Sequence, residues 1–168
     1  MRLRSRTKNT HQAKNNTMLF WLIFLVALLA TLATDYFYLI IHRAATLFLV
    51  PIFLMGAVLR STPVTASEAM LGFLVGYGFL WIFKMVYQRY RGVDGLGQGD
   101  LELLGTIGTF VGPLGALYTV TYGSIVGTLV ATAMLLLKRA DAQTQLPFGV
   151  FLVLGCLGYC LSWRAHLL

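Results

Sequence analysis

Residues 18–41 read MLFWLIFLVALLATLATDYFYLII, an apolar run that holds one charge, Asp35. A helix crosses the ~30 Å hydrocarbon core of a bilayer with about 20 such residues. The run meets that length, and His42 and Arg43 end it. Asp35 lies about 9 Å inside that end, counted at about 1.5 Å per residue.

The pattern recurs along the chain. A second run, Ala44–Leu59, stops at Arg60 and is followed by a polar loop reaching Glu68. The third, Ala69–Tyr87, closes in Gln88-Arg89-Tyr90-Arg91, with Lys84 near enough to its end to extend an ammonium to the headgroups. Leu101–Leu137 is long enough for two helices, with a reversal between Gly112 and Ser124. Lys138–Gln145 is a short polar loop, and Leu146–Trp163 forms a last span. The expectation is an all-α, polytopic membrane protein with about six transmembrane helices. Residues 18–168 form the membrane domain and residues 1–17 a basic tail.

Composition supports this class. Hydrophobic residues make up 58% of the 168 and charged residues 11%, against roughly 25% charged in a soluble domain. Such a chain cannot cover a water-facing surface, whereas lipid accepts an apolar exterior. The net charge of +7 is no sign of nucleic acid, because five of the thirteen basic residues crowd the first fourteen positions. The others mark the ends of apolar runs, as loops flanking membrane spans do, and no basic face interleaves with aromatics. Cys156 and Cys160 read as small core residues of an apolar helix. With no C-x-x-C pair and three scattered histidines, neither a metal site nor a cofactor is expected.

Topology sorts the six acids. Consecutive spans alternate sides, so the loops after the first, third and fifth helices share one face. Asp35 and Asp100 both belong there, while Glu68 falls opposite. Asp94 and Asp141 sit in hydrophilic loops, and Glu102, two positions beyond Asp100, points to nearly the opposite side of a helix. Asp35 and Asp100 remain as the pair able to meet inside the bundle. Two carboxylates brought together cannot both ionise cheaply, so one keeps its proton and the pair titrates as a unit. Aspartyl proteolysis uses that state. Simpler roles exist for each: Asp100, after glycines and before an apolar run, fits a helix N-cap, and Asp35 fits an interfacial charge beside tyrosines. A proton relay for transport through the same two residues is a further alternative. The far half of the bundle is mostly Leu, Val, Phe and Gly, which offers such a relay no onward steps.

The run Arg91-Gly92-Val93-Asp94-Gly95-Leu96-Gly97-Gln98-Gly99-Asp100, followed by Leu103-Leu104 and Gly108, resembles the second-aspartate G-x-G-D motif of type IV prepilin peptidases. Leu146-Pro147-Phe148-Gly149-Val150-Phe151-Leu152 resembles the P-F-G-x-F-L element of that family's last helix. Asp35, with Ile41 six residues on, corresponds to its first aspartate. The resemblance covers roughly Met18 to Leu161 and implies a GxGD-type intramembrane aspartyl protease, multi-pass in the bacterial inner membrane. Asp35 and Asp100 would be catalytic at its cytoplasmic end. Gly95, Gly97, Gly99, Pro147, Phe148 and Gly149 would line or bind the substrate. That substrate would be a prepilin or pseudopilin precursor of type IV pili or type II secretion, cut after a glycine between a basic leader and an apolar helix. A non-catalytic membrane partner of pilus assembly is the remaining alternative. His42 and Arg43 stand where the family has Pro-Asn, and Glu102 replaces a common lysine. The cysteine-containing domain associated with N-methylation in larger members is missing, so methyl transfer is not expected. The glycines from Gly92 to Gly99 leave room for a substrate chain beside Asp100, though a flexible interhelical loop would use them equally well.

The charge rule and this resemblance disagree over the tail. With the aspartate face cytoplasmic, that side holds Arg43, Lys84, Arg89, Arg91, Lys138 and Arg139, six basic residues. The other side holds Arg60 and Arg164, joined by the tail's Arg2, Arg4, Arg6, Lys8 and Lys14, seven in all. Without the tail the split is six against two, which obeys the positive-inside rule. The expectation is that the working chain starts at Met18, or that residues 1–17 are dispensable and disordered. The alternative keeps the tail cytoplasmic with a different entry of the first span. A chain beginning at Met18 should therefore insert as well as the full one, and a phosphatase reporter fused after Leu168 should be active on the periplasmic side. A cytoplasmic C-terminus would overturn the topology.

Overall fold

The computed structural model describes residues 2–38, 43–92, 96–137 and 147–165. The loops holding Gly95, Asp94 and Asp141 lie outside them, as does the expected polar loop after Leu137. The described chain is all helical: α1 (Arg2–Tyr38), α2 (Arg43–Val58), α3 (Ala66–Arg91), α4 (Gln98–Leu136) and α5 (Phe148–Ala165). By length and composition the apolar part of α1 and the whole of α3 and α4 can cross a membrane, while α2 and α5 carry shorter apolar stretches. α1 reaches back to Arg2, so it takes in the basic tail as helical backbone.

α3 runs from a capping box to a glycine stop. Thr65 Oγ1 accepts the Glu68 N–H at 3.4 Å, and the Glu68 carboxylate accepts the Thr65 N–H at 2.8 Å. Two otherwise orphaned donors are thereby satisfied. At the far end Gly92 adopts φ 71° and donates its N–H to the Gln88 carbonyl, the left-handed close that glycine permits.

α4 is one element by hydrogen bonding but not by direction. Gly112 has φ 80°, ψ 177°, and Pro113 follows it. A Cβ on Gly108 would lie 3.3 Å from that of Ala116, and one on Gly115 only 2.7 Å from that of Val111. On a straight helix residues eight apart are separated by about 12 Å. The helix therefore folds back at Gly112, the first position of the window expected for a reversal. Its first arm, residues 98–111, is about 21 Å long and its second, 113–136, about 36 Å.

The first arm sits in the middle of the molecule, and every residue from Asp100 to Gly112 is buried. Glycines make this possible. A Cβ on Gly72 of α3 would collide with the Gly108 carbonyl, and one on Gly76 would come within 2.6 Å of the Leu104 carbonyl. The second arm meets α5 in the same way: a Cβ on Gly155 would collide with the Thr119 carbonyl, and one on Gly123 would come within 2.7 Å of the Phe151 carbonyl. On the other flank Phe24 stacks on Phe110 at 4.1 Å, with Trp21 and Phe53 around the same ring. Outward the molecule is apolar: Phe48, Leu74, Trp81, Leu114 and Leu129 are all exposed, as a lipid-facing surface requires.

Gly72→Val should force α3 from α4 and lower stability by about 1–3 kcal/mol, the usual range for overpacking. Gly78→Ala, where nothing lies within 4 Å, should be neutral or stabilising by up to about 1 kcal/mol. Thermal unfolding in detergent, followed by circular dichroism, checks both. Equal melting temperatures for the two variants would contradict this packing.

Candidate active site

α4 opens on Gly97-Gln98-Gly99-Asp100. Gly97 takes the cap position in extended conformation, φ −65°, ψ 144°, and contributes no side-chain cap. The Asp100 N–H reaches back to the Gly97 carbonyl at 3.3 Å. Asp100 is 8% exposed. Its carboxylate turns over the preceding turn, for a Cβ on Gly97 would come within 3.1 Å of Oδ2. Glycine at 97 leaves the space that the carboxylate uses. Gln98 Nε2 donates to the Tyr77 hydroxyl at 3.0 Å, joining the motif to α3.

Helix register fixes the depth of the other candidates. α1 and α2 run antiparallel, with Phe20 against Gly56 and Phe24 5.7 Å from Phe53. With Gly112 as origin, Asp100 lies about 18 Å along the bundle. On α1, Phe24 is level with Phe110 near that origin, and Asp35 comes about 16 Å further on, in the last turn before Tyr38. On α5, the Gly123–Phe151 contact places Gly149 at about 20 Å. The backbones of Asp35, Asp100 and Gly149 thus share one depth to within about one helical turn.

Pro147 and Phe148 are half-buried and Gly149 is buried at the start of α5. Phe148 and Phe151 line a cleft of about 270 Å³ with Ser124, Gly127, Thr128 and Ala131 of the second arm. The cleft is mostly apolar, with two hydroxyls, and occupies the same depth as the aspartates.

Glu102, set aside on helical periodicity, is also inside, at 5% exposure. Opposite sides of the first arm are both enclosed, so pointing away from Asp100 does not take Glu102 to the outside. One turn on, Thr106 Oγ1 donates to the Glu102 carbonyl at 2.8 Å and lies 3.1 Å from the Thr46 carbonyl of α2. Neither this link nor the one from Tyr77 has a sequence signal: Thr106 and Tyr77 sit in apolar runs that hydropathy reads as plain span.

Chemically, the arrangement offers one carboxyl residue near the end of α1 and another at the start of α4's central arm, at one depth, with an apolar cleft between the second arm and α5 at a similar level. The type IV leader peptidase family matches residues 22–132, a stretch that includes Asp35 and Asp100 and stops short of Pro147. A prepilin leader peptidase/N-methyltransferase of Stutzerimonas stutzeri is 32% identical over 107 residues, 62% of this chain and 37% of that protein. Its counterpart from Xanthomonas campestris pv. campestris is 34% identical over 90 residues, 54% of this chain and 31% of its own length. One from Burkholderia pseudomallei is 32% identical over 97 residues, 58% of this chain and 31% of the relative. The matched chain thus spans about a third of these relatives. No solved structure matches. With the family match extending over more than half of its length, the chain belongs to the type IV leader peptidase family.

Proposed function

We propose that this chain is a membrane aspartyl endopeptidase that removes the leader of type IV prepilins or pseudopilins at the cytoplasmic face of the bacterial inner membrane. The observation that carries the reading is the common depth of Asp35 and Asp100 on two helix ends, within the stretch that matches the family. The proposed topology has six spans, the two arms of α4 counting separately, with the aspartates at the cytoplasmic end.

Asp35 and Asp100 share one proton. The carboxylate takes a proton from water as the water oxygen bonds to the scissile carbonyl carbon, and the protonated partner hydrogen-bonds to the carbonyl oxygen. The tetrahedral intermediate then breaks its C–N bond, the leaving amine receiving a proton from the pair. Gly97 and Gly99 keep side chains away from the path of the substrate backbone. The cleft formed with Phe148 and Phe151 suits the apolar segment that follows the cut. A basic leader stays in water while the segment behind it stays in the bilayer, so the bond between them comes to rest at the depth of the pair.

Asp35→Asn and Asp100→Asn should each reduce cleavage of a prepilin-like peptide by at least a factor of about 10³, the scale of general acid–base catalysis. Abundance in the membrane should be unchanged. Glu102→Gln should remain active with a displaced pH optimum. Either asparagine variant retaining half the activity would disprove the two-aspartate reading. A rate–pH profile of the Glu102 variant tests the third arm.

Mass spectrometry of the products should place the new termini at the boundary between the basic leader and the apolar helix. Cuts deep within the apolar helix would rule out a site at this depth.

A further inference from the structure

We infer that Tyr77 is a positioning residue for the reaction: through Gln98 its hydroxyl fixes the backbone turn that carries Asp100. The inference rests on the aspartyl peptidase reading above and adds to it a residue outside the aspartate motifs.

The need for such a fixture follows from the motif. Gln98 stands between Gly97 and Gly99, and glycine accepts backbone conformations closed to other residues. Gly97 gives α4 no side-chain cap, where Thr65 supplies one to α3. Helix ends fray, and a tie from this turn to a neighbouring helix limits that. The side chain of Gln98 is what reaches out of the turn, and its Nε2 meets the Tyr77 hydroxyl at 3.0 Å.

Tyr77 is itself held. Its ring stacks on Phe73, one turn away on α3, with centroids 5.9 Å apart and planes 16° from parallel. Gly105 of the first arm closes beneath both: a Cβ there would lie 3.0 Å from the Phe73 ring and 3.3 Å from the Tyr77 Cβ. The phenol is therefore wedged between α3 and α4, in the region where Gly76 brings the two backbones together. Its hydroxyl is a fixed point of the bundle, and Gln98 ties the glycine turn to it. Two residues on, Asp100 inherits that position. In this role Tyr77 acts through the turn that carries Asp100, so removal of its hydroxyl should alter the chemical step and leave substrate binding alone.

The test uses the full purified chain in lipid nanodiscs cleaving a prepilin-like peptide. Tyr77→Phe keeps the ring, its stacking and the wedge, and removes only the hydroxyl. It should lower kcat by about five- to tenfold, the usual weight of one hydrogen bond, with KM within about twofold of the parent. Gln98→Leu should give the same fall. The double variant should be no slower than either single one, because both delete one interaction. Helical content by circular dichroism should stay the same in all three. Parent-like kcat in Tyr77→Phe, a loss expressed in KM, or multiplicative losses in the double variant would each overturn the inference. Asp100→Asn, run alongside, separates the two levels. If it is dead while Tyr77→Phe is fully active, only the positioning role falls. If it is active, the peptidase reading falls and this inference with it.

Discussion

Backbone contact between α3 and α4, made where Gly72 faces Gly108 and Gly76 faces Leu104, is the constraint on which the remaining architecture depends. Lipid is as apolar as the helices it surrounds, so helix association in a bilayer gains little from burying apolar area. It is driven by close van der Waals contact and by hydrogen bonds. Side chains at these glycines would move the central arm outward and take with it the whole enclosed stretch from Asp100 to Gly112. Glycine here therefore sets where Asp100 stands as much as how stable the molecule is. The polar links follow the packing: the hydrogen bonds from Thr106 to Thr46 and from Gln98 to Tyr77 span helices that the glycines have already brought together.

The reversal at Gly112 is the second determinant. Its φ of 80° and ψ of 177° suit glycine alone, and Pro113 begins the next arm with a φ already suited to a helix. Val64, in the loop before α3, packs where a side chain on Gly112 would go. Because the turn comes so soon after Gln98, the central arm is shorter than a bilayer is thick. Its opening end, with Asp100, lies below the ends of α3 and of the second arm.

Much of this was legible in the sequence, and the rest was hidden for definite reasons. α2 was expected over Ala44–Leu59 and is found over Arg43–Val58. α3 was expected from Ala69 to Tyr87 and runs from Ala66 to Arg91, because the capping box and the glycine close lie in polar flanks that hydropathy counts as loop. The fold-back was expected only within a window, since apolar character continues unbroken through Gly112-Pro113. That dipeptide is itself a turn signal. The elimination that left Asp35 and Asp100 rests on alternation of spans, which supplies a shared face. Their shared depth needed register between helices, and register is set by which glycines meet. The burial of Glu102 was not legible, because periodicity tells which side a residue faces and not whether that side is enclosed. Tyr77 lies in an apolar run as one tyrosine among eight, and only a structure distinguishes it.

The short central arm has a consequence for water. Above the level of Asp100, α3 continues to Arg91 for about 16 Å and the second arm of α4 continues to Leu136 for about 18 Å. Among the described residues the central arm therefore ends lower than these two neighbours. A peptidase of the kind proposed would consume one water for every bond cut, and the lower end of the central arm is where its aspartates would meet it. Beneath the aspartates the rings of Trp21, Phe24, Phe53 and Phe110 cluster toward the other end of the bundle. For the peptidase proposed above, water would come over this step and not through the aromatic cluster.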